Sequence, residues 1–251
     1  MSEDPTAPGP GALVVLGGAA GIGGDVVRAY LARRPDAPVW ITYAGDVVAA
    51  EALRDEIGCG EVMCCDVTNP DDLAGLAGRI RAEGQRVQTL VHAAVAAFSG
   101  TLIGSTERLL RAIDVSAVSL VRAVTAFDEL LNDGASVTYL TSIGASRVMP
   151  KYAFVGVSKA AAEAIVRYLA TELGRRNIRI NAVACGPVAT KALSNFGDTS
   201  RFVEYALKRS PLQPPVSATD AGAVVAFLSS PAGRGFSGQV INLDGGLTLW
   251  V

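Results

Sequence analysis

The stretch ALVVLGGAAGIGGDVVRAYL, residues 12–31, decides the fold. Its first five residues form an unbroken apolar run, as in a strand covered on both faces. Glycines at 17, 21 and 23 follow at once in a G-x-x-x-G-x-G spacing. Helical spacing then predicts a helix over Asp25–Arg34. A strand that turns through glycines into a helix presents backbone N–H groups to a pyrophosphate, and a side chain there would hold the phosphate away. Gly17, Ala20, Gly21, Ile22 and Gly23 are therefore expected to hold a dinucleotide.

The same alternation continues along the chain. Further strands are expected at Val39–Tyr43, Glu61–Cys65, Thr89–His92, Ser136–Leu140, Ile178–Val183 and Gln239–Asn242. Helices are expected at Val47–Ile57, Pro70–Glu83 (capped by Asn69), Thr106–Leu131, Val155–Arg175 and Thr219–Ser229. Strands alternating with helices of this length predict an α/β fold: one doubly wound Rossmann-type domain with a seven-stranded parallel sheet flanked by helices. Residues 1–10 read as a flexible tail and 11–251 as the domain. Val188–Pro215, rich in Pro, Ser and Gly, reads as an irregular insert that would cover a substrate.

Composition narrows the function classes. Of 251 residues, 50% are hydrophobic and 18% charged, enough apolar side chains for a large core. The formal charge of -2 points to neither nucleic acid nor an anionic membrane. No apolar run approaches the ~20 residues of a membrane span. With no leader-like start, a cytoplasmic protein is expected. Cys59, Cys64, Cys65 and Cys185 show no disulfide or zinc spacing, so no metal is expected.

The ends of the second and third strands should meet the adenosine. Asp66, with Val67 beside it, can accept from an adenine amino group or, alternatively, cap the next helix. At the ribose, an acid favours NAD and a base favours the 2′-phosphate of NADP. Tyr43 fills the acid slot, which leans toward NADPH over NADH; no Arg or Lys follows, and Asp46 would repel a phosphate that came near.

The reacting end is YLTSIGASRVMPKYAFVGVSK, residues 139–159. Tyr152 and Lys159 are seven apart, about two helical turns, so both can reach one side. A nearby ammonium would lower the phenol's pKa and make Tyr152 a proton donor near neutral pH. Ser142, at the preceding strand end, can hydrogen-bond the same oxygen.

On these residues nearly the whole chain resembles the short-chain dehydrogenase/reductase family. From Ser142 onward it resembles enoyl-acyl-carrier-protein reductases, especially the type III class. The common family pattern places tyrosine four before the lysine, where this chain has Val155; enoyl reductases place it seven before, at Tyr152. The stretch YAFVGVSKAAAEAIVRYLATELGRRNIRINAVACGPVAT (152–190) and the tail FSGQVINLDGG (236–246) carry the likeness further. The resemblance implies that Tyr152 donates the proton or stabilises an enolate, Lys159 holds the nicotinamide ribose, and Ser142 assists. It implies that Pro187, Val188 and Thr190 line the nicotinamide, with Ala93 among the cofactor residues. It also implies a homo-oligomer, dimer or tetramer, and the apolar end Leu247–Val251 would suit an interface.

The implied reaction is reduction of the 2,3 double bond of an enoyl thioester carried by acyl carrier protein or coenzyme A. The competing readings are a ketoreductase or conjugated-enone reductase, and a non-catalytic nucleotide-binding protein. His92-Ala93-Ala94 replaces the asparagines often found there, Asp114 aligns with a further asparagine, and Leu16 stands at a usual threonine. These departures point to a divergent member in a specialised biosynthetic pathway such as polyketide assembly. His92, the only histidine, reads as a structural strand-end residue. Arg147, Lys151, Arg201, Lys208 and Arg209 could form a basic rim for an acidic carrier.

Overall fold

The apolar runs become parallel strands because each has helices on both faces to bury it. In a computed structural model, which describes residues 9–197 and 199–249, the strands are β1 (Ala12–Leu16), β2 (Val39–Tyr43), β3 (Glu61–Cys64), β4 (Val87–His92), β5 (Leu131–Ser142), β6 (Arg179–Cys185) and β7 (Val240–Leu243). They form one all-parallel sheet in the order β3-β2-β1-β4-β5-β6-β7. The order reverses between β1 and β4, and such folds open a ligand crevice at that point, outside the strands' carboxyl ends. Residues 1–8 of the expected tail at 1–10, and the terminal Trp250-Val251, lie outside the described residues.

The helices are α1 (Gly21–Leu31), α2 (Val47–Ile57), α3 (Pro70–Ala82), α4 (Thr106–Ile113), α5 (Ser119–Phe127), α6 (Ala153–Leu173), α7 (Lys191–Ser194), α8 (Thr199–Arg209) and α9 (Ala218–Ser229). One sheet face buries Val14, Leu90, Val137 and Tyr139 with Leu76, Phe127 and Val166. The other buries Leu13, Val15, Ile41 and Leu140 with Val26, Leu53 and Val225. Alternate residues of one strand thus feed two cores, as the period of two demands. Each fully buried Val, Leu, Ile or Phe contributes roughly 1.5–3 kcal/mol. Among the described residues, no helix is long and apolar enough to cross a membrane.

Three expectations are corrected. The first helix begins four residues earlier than its periodicity suggested, at Gly21, because the glycine turn itself enters the helix. The helix expected over Thr106–Leu131 is broken by a widened turn at Asp114–Val118 and stops at Phe127; Leu131 already pairs with Val87 in the sheet. The insert at 188–215 is not irregular throughout: it carries α7 and α8.

Candidate active site

A cleft of about 600 Å³ lies at the carboxyl ends of the strands. Every expected site residue lines it: Gly17, Ala20, Gly21, Ile22, Gly23, Tyr43, Asp66, Val67, Ala93, Ser142, Tyr152, Lys159, Pro187, Val188 and Thr190. Segments up to 179 residues apart in sequence meet here because every strand of a parallel sheet ends on the same side.

The glycine end is built from main chain. Gly17 has φ +79°, and a Cβ on it would lie 2.9 Å from Ala94 N. A Cβ on Gly23 would lie 2.7 Å from Gly17 O. Both glycines are therefore demanded by the protein's own backbone and not only by a phosphate's approach. Gly17 N donates to Thr42 Oγ1 (3.1 Å) and Gly18 N to Thr42 O (3.0 Å), which ties the turn to β2. Ala20, at the α1 N-cap, makes no side-chain cap. The first N–H groups of α1 lack intrahelical partners, as at any helix start, and suit a diphosphate. A nicotinamide dinucleotide thus fits the residues present.

At the adenosine end, Asp66 Oδ1 accepts from Thr68 N (2.9 Å) and Thr68 Oγ1 (2.7 Å), which holds its carboxyl below the usual range. It does not cap α3; Asn69 does that, through Asp71 N. Asp46 caps α2 by accepting from Ala49 N (3.1 Å), and its other oxygen takes Lys191 Nζ at 2.9 Å. Both line the cleft, so this pair links the β2–α2 turn to α7. The lysine hydrogen bond, then Ala49 N–H, keep the Asp46 carboxyl anionic.

At the reacting end, Tyr152 sits at the α6 N-cap position. Its ring lies 4.7 Å from that of Phe196 and beside Gly144, where a Cβ would come within 2.5 Å of its Cε1. Gly100 N donates to Lys151 O (2.9 Å), pinning the β4–α4 loop to the same turn. Ser142 Oγ accepts from Gly144 N (3.1 Å), and its hydroxyl lies in the cleft wall beside the Tyr152 phenol. Val155, where the commoner tyrosine would stand, is buried. Lys159 is 4% exposed and Nζ donates to Leu140 O at 2.7 Å.

The electrostatics differ from expectation at one group. Burial raises the Tyr152 phenol, and the Ser142 hydroxyl pulls it the other way; the expected lowering by Lys159 is absent. The Tyr152 phenol is therefore neutral near pH 7. Burial brings Lys159 down to about 7 and lifts the thiols of Cys65 and Cys185, both in the cleft wall, to about 12.

His92 stands outside the cleft wall, fully buried, 2.7 Å from Ser119 Oγ; burial pushes it to about 3. Asp114 also stays outside the wall, paired with Arg122 at 2.7 Å. The basic rim is engaged: Lys208 holds Glu204 at 2.6 Å, Arg209 lies over Tyr205, and Arg147 donates to Thr248 O. Arg201 is exposed. Sequence reasoning missed Lys191, Arg111, Phe98, Met149 and Phe196 in the wall, and Gly144 behind it. Lys191 follows Thr190 directly, and Gly144 and Met149 lie in the 139–159 stretch already singled out, so these three carried a nearby signal.

A family model described as Enoyl-(Acyl carrier protein) reductase matches residues 17–248. The chain belongs to this enoyl-acyl-carrier-protein reductase family. It is an oxidoreductase of the short-chain dehydrogenase/reductase fold. It is 35% identical over 228 residues to the Rickettsia felis enoyl-acyl-carrier-protein reductase [NADH] FabI, covering 88% of each chain. A Bacillus cereus enoyl-acyl-carrier-protein reductase solved with NADP+ and indole naphthyridinone superposes with a TM-score of 0.89 at 28% identity, over 97% of this chain and 98% of that one. The fold is shared with 7α-hydroxysteroid dehydrogenase solved with NADH and 7-oxo glycochenodeoxycholic acid, at a TM-score of 0.88 and 26% identity, over 98% and 97% of the chains.

These relatives overturn the lean toward NADPH. Four relatives of the family at 32–35% identity are named for NADH. The physical reason is visible at the β2–α2 turn. The empty acid slot at Tyr43 is offset by Asp46 in the cleft wall, and the ammonium at that end, Lys191, is already held by that carboxylate. A 2′-phosphate would have to face this carboxylate.

Proposed function

We propose that the protein reduces the 2,3 double bond of enoyl thioesters with NADH. The observation that carries this reading is the position of the phenol: the cleft's acid stands at Tyr152, beside Ser142, and an apolar side chain stands at 155. Bound NADH supplies the hydride. Ser142 and Tyr152 aim hydroxyl donors at the thioester carbonyl oxygen, where negative charge gathers as the β-carbon is reduced. Donors fixed in a dry cleft stabilise such charge strongly, by about 10²–10³ in rate per donor. The neutral phenol then serves as the proton source. Lys159 binds the ribose of the cofactor, and Pro187, Val188 and Thr190 bound the nicotinamide. Asp66 receives the adenine. Phe98, Met149 and Phe196 give the acyl chain an apolar wall and exclude water, and α7 serves as the cover.

The substrate is a thioester on acyl carrier protein or coenzyme A. A specialised biosynthetic role follows from the His92-Ala93-Ala94 departure. Helices α4 to α6 and the turn between them expose Leu110, Val118, Val121, Val157 and Tyr168, which supports a homo-oligomer.

The test is NADH consumption with crotonyl and acetoacetyl thioesters. Oxidation of NADH with the crotonyl substrate alone is expected. Oxidation with the acetoacetyl substrate alone would make the protein a ketoreductase and reject the proposal.

A further inference from the structure

Lys159 needs its charge in a place that opposes it. Its ammonium is almost fully buried and makes one hydrogen bond, to Leu140 O. Among the described residues no carboxylate forms an ion pair with it. Beside it lies the face of Tyr139, whose ring centroid is 4.5 Å from Nζ. Tyr139 is fully buried and immediately precedes Leu140 on β5. Two consecutive strand residues thus furnish a carbonyl and a π face to one ammonium.

Cys185 and Glu163 also favour the charge of Lys159, but neither hydrogen-bonds nor ion-pairs with its ammonium. Glu163, one turn on in α6, is occupied by Thr141 Oγ1 at 2.8 Å, and burial raises its carboxyl. Cys185 on β6 is a neutral thiol, lifted to about 12. His92 on β4 is neutral above about 3. Tyr152 is a neutral phenol. Asp114, in the turn packed against α6, is held by Arg122, and Arg111 of α4 lines the same cleft as a further cation. The electron-rich face nearest the ammonium is therefore Tyr139, and a desolvated cation over an aromatic ring is strongly favoured.

We propose that Tyr139 is a positioning residue: its ring face holds the Lys159 ammonium against Leu140 and favours its cationic form. The proposal rests on the reading of Lys159 as the charged group of the site. The sign is fixed. Removing the ring disfavours the ammonium, so Lys159 loses its proton at lower pH, and the alkaline limb of kcat/KM moves toward acid.

The chain holds four lysines, Lys151, Lys159, Lys191 and Lys208, so lysine-selective labelling and NMR can follow each amine through a pH titration of the full protein. Tyr139→Phe keeps the ring and should leave the Lys159 midpoint unchanged. Tyr139→Leu should lower it by about one pH unit, with the kcat/KM limb moving alongside. Tyr139→Met fills the space without a π face and replaces the leucine variant should that one not fold. A Lys159 midpoint unmoved in the Leu or Met variant overturns the proposal, even where turnover falls, because lost packing alone slows the enzyme at every pH. Lys159→Met that keeps full turnover and NADH affinity would instead sink the role of Lys159, while the amine titration still reads the Tyr139 contact.

Discussion

The two ends of the cleft are made of different material. The glycine end is main chain against main chain: Gly17 over Ala94 and Gly23 over Gly17 O, with no ionisable side chain in either contact. The reacting end is side chain against side chain, with Tyr152 between Gly144 and Phe196 and Lys159 over Tyr139. The first is fixed by sterics and is indifferent to pH. The second depends on which groups carry protons, and burial sets that. Recognition of the dinucleotide and the chemistry done with it thus answer to different variables.

Three variants test this contrast. The largest effect is expected from Tyr152→Phe, which removes the acid but keeps the ring on Phe196. The rate constant kcat should fall by about 10²–10³-fold with NADH affinity unchanged, measured by steady-state kinetics and fluorescence titration. A comparable loss of affinity would mean the two ends are not separable. Gly23→Ala should act in reverse. Its methyl meets a carbonyl oxygen at 2.7 Å, so the turn must shift. NADH should bind at least about tenfold more weakly, and thermal unfolding should come earlier by an amount matching about 1–3 kcal/mol, equally across pH 6–9. The smallest effect belongs to Lys191→Ala. Its ion pair with Asp46 is largely exposed, so NADH affinity should change by less than about threefold, and less still at high salt. A large, salt-insensitive loss would show that this pair belongs to the binding surface.

What the sequence discloses follows the same division. The bounds of β1, β2 and α2 match their patterns to the residue, because continuous apolar runs and a capping Asp46 are local signals. The glycine motif and the Tyr152–Lys159 spacing are also local, and both meet in the cleft. The break at Asp114–Val118 was hidden, since helical periodicity carries through a widened turn that contains no Pro or Gly. The Lys191–Asp46 pair spans 145 residues, and Tyr139 reads as one more apolar strand residue until Lys159 is seen above it. Pattern reports which side chains are buried. It does not report which of them meet, and both the charge state of Lys159 and the cofactor preference depend on those meetings.

Strand β5 carries four consecutive residues at the site: Tyr139 under the ammonium, Leu140 O as its acceptor, Thr141 on Glu163, and Ser142 in the cleft wall. Tyr139 and Leu140 belong to opposite cores. Inserting or deleting one residue upstream in this strand would turn all four to the wrong face at once, whereas replacing any one of them touches a single contact. The strand's length thus constrains the site more tightly than any one of its side-chain contacts does.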